Sequence, residues 1–140
     1  MCHVSGVKCQ QPGLLREGKM EYQKYQFDFE RLDVYQKALN FTDRIFNITM
    51  SFRREIQYSL GDQFRRAALS ICNNLAEGSR KAGKGKRQFY NFAFDSAREC
   101  IPMISLSIKQ KQIDNSTEAE LRNECVQICN MIYKLRQSVT

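Results

Sequence analysis

Residues 77–87 read Glu-Gly-Ser-Arg-Lys-Ala-Gly-Lys-Gly-Lys-Arg, and Gly78 to Lys84 within them have the spacing G-x-x-x-x-G-K. In a nucleotide-binding loop that spacing wraps backbone N–H groups around phosphates, and a Ser or Thr after the lysine holds magnesium. Here Gly85 stands at the hydroxyl position. Such a loop also follows a strand, whereas a helical pattern precedes Gly78. Both points argue against an ATP or GTP site. The charge still needs an account. Arg80, Lys81, Lys84, Lys86 and Arg87 put five cations into eight residues. Arg80 and Lys81 follow a helix C-terminus, where positive charge is favoured. Lys84, Lys86 and Arg87 crowd the start of the next helix, where an exposed cation costs about 0.3–1 kcal/mol. A phosphate arriving at the free N–H groups of that helix would relieve the repulsion. Arg65 and Arg66 are candidate additions to this nucleic-acid-binding set. No aromatic is interleaved with the five cations, so binding would be backbone-directed, salt-dependent and weak in sequence preference. The plain alternative is a solvated basic loop.

Little else in the chain offers chemistry. His3 is the only histidine, and with Cys2 and Cys9 it lacks the paired C-x-x-C spacing of a zinc site. Because His3 sits in a stretch expected to be a disordered tail, a Cys–His or Ser–His catalytic pair is hard to build. Glu77, Asp95 and Glu99 fall on different helices, and without histidine they do not make a di-metal bundle site. Asp62 with Arg66 reads as a surface helix pair. No enzymatic activity, metal or cofactor is expected.

The elements that position the basic stretch are helical. Asp33 is a good N-cap. Behind it Val34, Ala38, Phe41, Ile45, Ile48 and Phe52 recur at spacings of three and four, one face of a first helix. A second helix begins near Ser59 to Asp62, either of which can cap it. Its stripe is Leu60, Phe64, Ala68, Ile71 and Leu75, and Gly78 stands where a C-terminal glycine is expected. A third runs from near Lys86 to about Lys111 with Phe89, Phe92, Ala93, Ser96, Cys100 and Met103 inward. Pro102 should kink it or loosen a turn. A fourth starts at Ser116 or Thr117 and carries Leu121, Cys125, Ile128, Ile132 and Leu135. Short links between four helices predict an all-α, antiparallel up-down four-helix bundle. Residues 21–140 form this domain, and residues 1–20, which show no periodicity, are expected to be a flexible N-terminal tail.

Three helices are apolar over more than the third of their circumference that a bundle requires. Tyr35, Leu39 and Phe46 flank the first stripe. Leu69, Cys72 and Ala76 flank the second, and Tyr90, Phe94, Ile101 and Ile108 the third. Surplus apolar surface marks association, so a homo-oligomer is expected. The alternative is that the aromatic residues of 21–32 cover one flank within the monomer. A polar stripe on the second helix, Gln63, Arg66, Ser70, Asn73 and Glu77, belongs either to a subunit interface or to a solvated face.

Composition bounds the rest. The 140 residues hold 22 Lys and Arg against 15 Asp and Glu, a net charge of +7, which favours acidic partners such as RNA or DNA. No apolar run is long enough to span a membrane, and the N-terminus lacks an apolar signal core. The expected setting is cytoplasmic, with reduced thiols; Cys72, Cys100, Cys125 and Cys129 read as small core residues.

The first helix opens with Phe29, Leu32, Val34, Tyr35 and Ala38. The second carries the block Gln63-x-Arg65-Arg66-Ala67-Ala68-x-Ser70-Ile71-x-x-Asn74-x-Ala76-Glu77-Gly78, and the third Phe89, Phe92, Ser96 and Glu99. Over about residues 27–138 this resembles the bacterial four-helix bundle family named for the 23S rRNA intervening-sequence protein. The resemblance implies a four-helix subunit assembled into a ring, typically a pentamer. It also implies similarity to the accessory protein of diversity-generating retroelements, thought to engage a reverse transcriptase and nucleic acid. A protein-interaction scaffold, serving as accessory factor to a nucleic-acid enzyme, is therefore the second functional expectation. The chain departs from the family pattern in its first 20 residues, in Gln88 where an acidic residue is usual, and in Pro102.

Overall fold

The computed structural model describes residues 12–16, 19–22 and 24–140. Apolar spacing of three and four becomes helix where the pattern predicts it: α1 (Asp33–Thr49), α2 (Asp62–Ser79), α3 (Gly83–Lys109) and α4 (Asn115–Gln137). Ahead of them lies a short ribbon, β1 (Pro12–Arg16) paired antiparallel with β2 (Lys19–Tyr22), with Leu15 opposite Met20. This regular structure occupies part of the segment expected to be a tail. Strands of five and four residues are too short to show a period. Residues 1–11, including Cys2, His3 and Cys9, lie outside the described residues.

The core sits where the stripes meet. Phe64, Ala68, Ile71 and Leu75 of α2 are buried, as are Val34, Ala38, Phe41 and Ile45 of α1 and Leu121, Cys125, Ile128 and Ile132 of α4. Phe52 is buried although it lies past the end of α1. On α3 the buried line is Tyr90, Ala93, Ser96, Ala97, Cys100, Ile104 and Ser107. The expected inward Phe92 is exposed, and Phe89 and Met103 are only half-buried. The reason is steric: α3 packs against both α2 and α4, and its small residues allow the closest approach. Ser70 and Ser96 hydroxyls meet at 2.9 Å between α2 and α3. Arg136 near the end of α4 donates to Asn91 near the start of α3 (2.9 Å), and Arg122 near the start of α4 reaches Ser105 near the end of α3 (3.3 Å). Thr42 of α1 lies 3.0 Å from the Ala68 carbonyl of α2, and Arg44 joins Glu120 and Glu124 of α4 at 2.8 and 3.0 Å.

The links correct several local expectations. Gly78 is not a left-handed cap but a buried residue inside α2. A Cβ there would meet the Tyr90 ring at 2.9 Å and Phe89 Cβ at 3.1 Å, so glycine is required for the approach of α3. The left-handed glycine is Gly83, with φ +55°, at the start of α3, three residues earlier than expected. Neither Ser59 nor Asp62 caps α2, because the chain is already helical: a turn at Arg54–Ile56 runs through a π-turn at Gln57–Gly61 into α2. A π-turn frees backbone carbonyls from regular pairing. Arg65 answers it: its guanidinium donates to the Gln57 carbonyl (3.1 Å), the Gln57 side-chain oxygen (2.8 Å) and the Thr49 hydroxyl (2.8 Å). Asp114 caps α4 by accepting from the Thr117 N–H at 2.7 Å, which lowers the carboxyl pKa below its ordinary value. α3 passes through Pro102 unbroken. Pro102 and Arg98, whose carbonyl loses its partner, both face solvent, so water can satisfy that carbonyl.

Cys72, Cys100 and Cys125 are buried free thiols and Cys129 is half-buried. The neighbouring Cys125 thiol and burial push Cys100 far up, and burial raises Cys72 and Cys129. Protonated thiols of this kind pack as apolar groups and are poor nucleophiles.

Two substitutions test these ends. Gly78→Ala should cost about 1–3 kcal/mol by overpacking against Tyr90, outweighing the gain of up to about 1 kcal/mol in helix propensity. A urea midpoint equal to or above that of the parent would show that the close approach does not need glycine. Arg65→Ala should lose about 1–3 kcal/mol, since it strands the Gln57 carbonyl and Thr49 hydroxyl, while Arg66→Ala should change stability by less than about 0.5 kcal/mol. Equal shifts for both arginines would remove the structural distinction between them.

Candidate nucleic-acid interface

Three residues, Arg80 to Ala82, connect α2 to α3. Two long helices that pack closely with so short a link must bring the end of one beside the start of the next. All five cations of the basic stretch are thereby held at one end of the bundle. Lys84, Lys86 and Arg87 lie in the opening turns of α3, which carries no acidic residue in its first turn and no side-chain cap at Ala82. Its first N–H groups therefore have neither a helical nor a side-chain acceptor.

Each cation meets a different environment. Glu77 faces Arg80 at 3.9 Å and Lys81 at 3.7 Å. Both pairs are partly exposed, so each contributes little. Lys81 also lies over the Phe89 ring, 5.7 Å from its centroid, and Lys86 over Tyr90 at 5.6 Å. Lys86 donates to the Ser79 carbonyl at 3.1 Å, and Arg87 to the Val139 carbonyl at 3.1 Å. Lys84 is exposed and takes part in no ion pair within 4.0 Å among the described residues. Glu77 thus meets two of the five cations, and among the described residues the other three have no carboxylate within 4.0 Å.

The aromatic partners were missed by looking for residues between the cations. Lys86 and Tyr90 are one helical turn apart and share a face, which the i, i+4 spacing could have revealed. Tyr90 is buried and Phe89 half-buried, so neither offers an open stacking platform for a base.

Arg65 and Arg66 do not join this set. Fourteen residues of α2 separate Arg66 from Arg80, about 21 Å at about 1.5 Å per residue. Arg65 is engaged by the π-turn, and Arg66 pairs with Asp62 at 3.1 Å on the surface, as expected from their spacing. The phosphate-loop spacing also dissolves structurally: Gly78 lies within a helix and packs against aromatic rings.

Beside the loop a cleft of about 480 Å³ opens between Lys81, Lys86, Tyr90 and the C-terminal residues Ser138 to Thr140. Among the described residues no group of three His, Cys, Asp or Glu side chains is placed to hold a metal ion, and no helix is long and apolar enough to cross a membrane.

The fold has a solved counterpart. The crystal structure, at 1.70 Å, of a protein with unknown function from the S23 ribosomal protein family of Bacteroides thetaiotaomicron VPI-5482 superposes with a TM-score of 0.69 and 21% identity, covering 75% of this chain and 96% of that one. No curated protein matches the chain. The sequence model described as 23S rRNA-intervening sequence protein matches residues 30–134, three quarters of the chain and all of α1, α2 and α3, and the protein therefore belongs to the 23S rRNA-intervening sequence protein family.

Proposed function

We propose that this chain is a cytoplasmic, non-enzymatic homo-oligomer that binds RNA or DNA through the phosphate backbone at its basic end. The observation that supports the reading is the gathering of Arg80, Lys81, Lys84, Lys86 and Arg87 around one helix start, with Glu77 paired to Arg80 and Lys81 alone. Such an end attracts polyanions without reading bases, so affinity should fall steeply with salt.

The subunit is read as an antiparallel up-down bundle, supported by the pairing of α3's start with α4's end through Asn91 and Arg136. Association is supported by the outer side of the α1–α2 contact. Leu39 and Phe46 lie one turn either side of Thr42, and Leu69 lies one turn before Cys72; all three remain exposed at 41%, 39% and 42%. The aromatic segment covers only part of this flank: Phe29 packs edge-on against Tyr35, 4.9 Å between ring centroids. Closure of such subunits into a ring would repeat the basic end and multiply a weak contact.

A second reading, a scaffold or accessory factor for a nucleic-acid enzyme such as a reverse transcriptase, is favoured by a separate apolar groove of about 510 Å³. Ile56, Leu60, Pro102, Met103 and Leu106 line it, and Tyr58 on the same turn is 84% exposed.

The double variant Lys84→Glu with Arg87→Glu should weaken binding of a 20-nucleotide single strand at least about tenfold and flatten the salt slope by about 1.4, the loss of two phosphate contacts at about 0.7 each. Unchanged binding would favour the scaffold. Light scattering should give a multiple of 16.4 kDa for the parent and a smaller assembly for Leu69→Lys; a parent that is monomeric throughout would remove the association step.

A further inference from the structure

The end of the bundle opposite the basic loop holds an aromatic side chain that the fold does not use. Tyr58, on the π-turn, is 84% exposed. Among the described residues its ring pairs with no other aromatic and lies under no cation. Nor does it line the apolar groove formed by Ile56, Leu60 and their neighbours. The turn that carries it is nevertheless fixed. Gln57 donates to the Met50 and Phe52 carbonyls at 3.4 and 3.2 Å and accepts from Arg65 at 2.8 Å, and Ser59 donates to the Ile56 carbonyl at 3.3 Å. A ring on a fixed turn is a pre-organised face, because a ligand need not order the backbone beneath it. Free cations share this end. Arg54 stands about one turn before Tyr58, on the same face. Arg53 donates to the Gln110 carbonyl at 3.0 Å, which brings Lys109 and Lys111 alongside. Arg54, Lys109 and Lys111 are exposed and, among the described residues, have no carboxylate within 4.0 Å. The acids on these segments are already engaged: Glu55 lies 3.6 Å from Arg53, Asp62 pairs with Arg66, and Asp114 caps α4.

We propose that Tyr58 is a stacking platform for an unpaired base of a single nucleic-acid strand, with Arg54, Lys109 and Lys111 on the adjoining phosphates. An open aromatic face among unpaired cations is the chemistry that binds single strands: the base stacks on the ring and the backbone meets the charge. A lipid surface takes an extended apolar face, whereas a base needs one ring. The proposal rests on the reading of the chain as a nucleic-acid binder and adds what the basic loop lacks, a ring open to a base. α2 joins the two ends, and its 18 residues span about 27 Å at about 1.5 Å each. A 20-nucleotide strand covers that length even at a stacked spacing of about 3.4 Å. Bases of a duplex are already stacked on one another, so Tyr58 favours the single strand.

The test measures binding of a 20-nucleotide single strand and of its duplex by fluorescence anisotropy across a salt series. Tyr58→Ala should weaken the single strand at least about fivefold, as the loss of one stacked base requires. It should leave the duplex and the salt slope unchanged, since no phosphate contact is lost. Tyr58→Phe keeps the ring and should bind within about twofold of the parent. Lys84→Glu with Arg87→Glu should instead weaken both nucleic acids and flatten the slope. Single-strand affinity untouched by Tyr58→Ala, or an equal loss on the duplex, overturns the platform and leaves the loop's role standing. A loss confined to Tyr58→Ala, with the loop variant at parental affinity, supports the platform and removes the loop's role. A parent that binds neither nucleic acid overturns both, and sedimentation of that parent with phosphatidylserine vesicles would assign this end to lipid.

Discussion

Gly78 presents bare backbone to the Tyr90 ring, and the architecture of the basic end depends on that contact. Any side chain at 78 would overlap the ring, so only glycine lets α2 and α3 approach this closely. Close approach in turn permits a link of three residues. A longer loop would let like charges spread into solvent; this one holds five of them within the reach of one helix start. Gly83 makes the reversal by adopting φ +55°, which costs glycine little and a side-chain-bearing residue more. The charge cluster is therefore a consequence of packing and not of composition alone.

The two ends of α2 show how differently an arginine can be used. At the π-turn, Arg65 spends its donors on a carbonyl, an amide oxygen and a hydroxyl within the fold. Arg53 likewise ties the α1–α2 connection to Gln110 and Gln112 beyond α3. These cations hold connections together. At the other end Arg80, Lys81 and Lys84 have a shared carboxylate or none. Formal charge does not separate the two groups. Counting the acceptors available to each cation does, and that count exists only once the fold brings residues together.

The same limit explains which parts of the structure were legible in the residues. Stripes of large apolar side chains, such as Phe64, Ala68, Ile71 and Leu75, declared α2 directly, because a core-facing line needs only local spacing. On α3 the inward reading of Ala93, Ser96 and Cys100 is met, but the sequence puts Phe89 and Phe92 in the core in place of Ala97, because they outweigh it in any hydrophobicity sum. Interhelical distance favours the small residues, and the large ones are displaced to the rim. The π-turn was invisible for a related reason: it depends on Arg65 reaching back eight residues to Gln57. In the basic stretch the cations were evident, but Tyr90's place beneath Lys86 and Arg65's absence from the set needed three dimensions.

Association and phosphate binding, both proposed, do not compete for surface. The exposed apolar residues Leu39, Phe46 and Leu69 lie along the flank of α1 and α2, parallel to the helix axes, whereas the cations occupy an end. A neighbour packed on that flank would leave the loop and the cleft open. It would also place several like-charged ends in one assembly, adding repulsion that a bound strand would offset. Salt should then act in opposite directions on the two processes: screening eases the assembly of basic subunits and weakens their grip on phosphate. A subunit that used one surface for both tasks could not show that opposition.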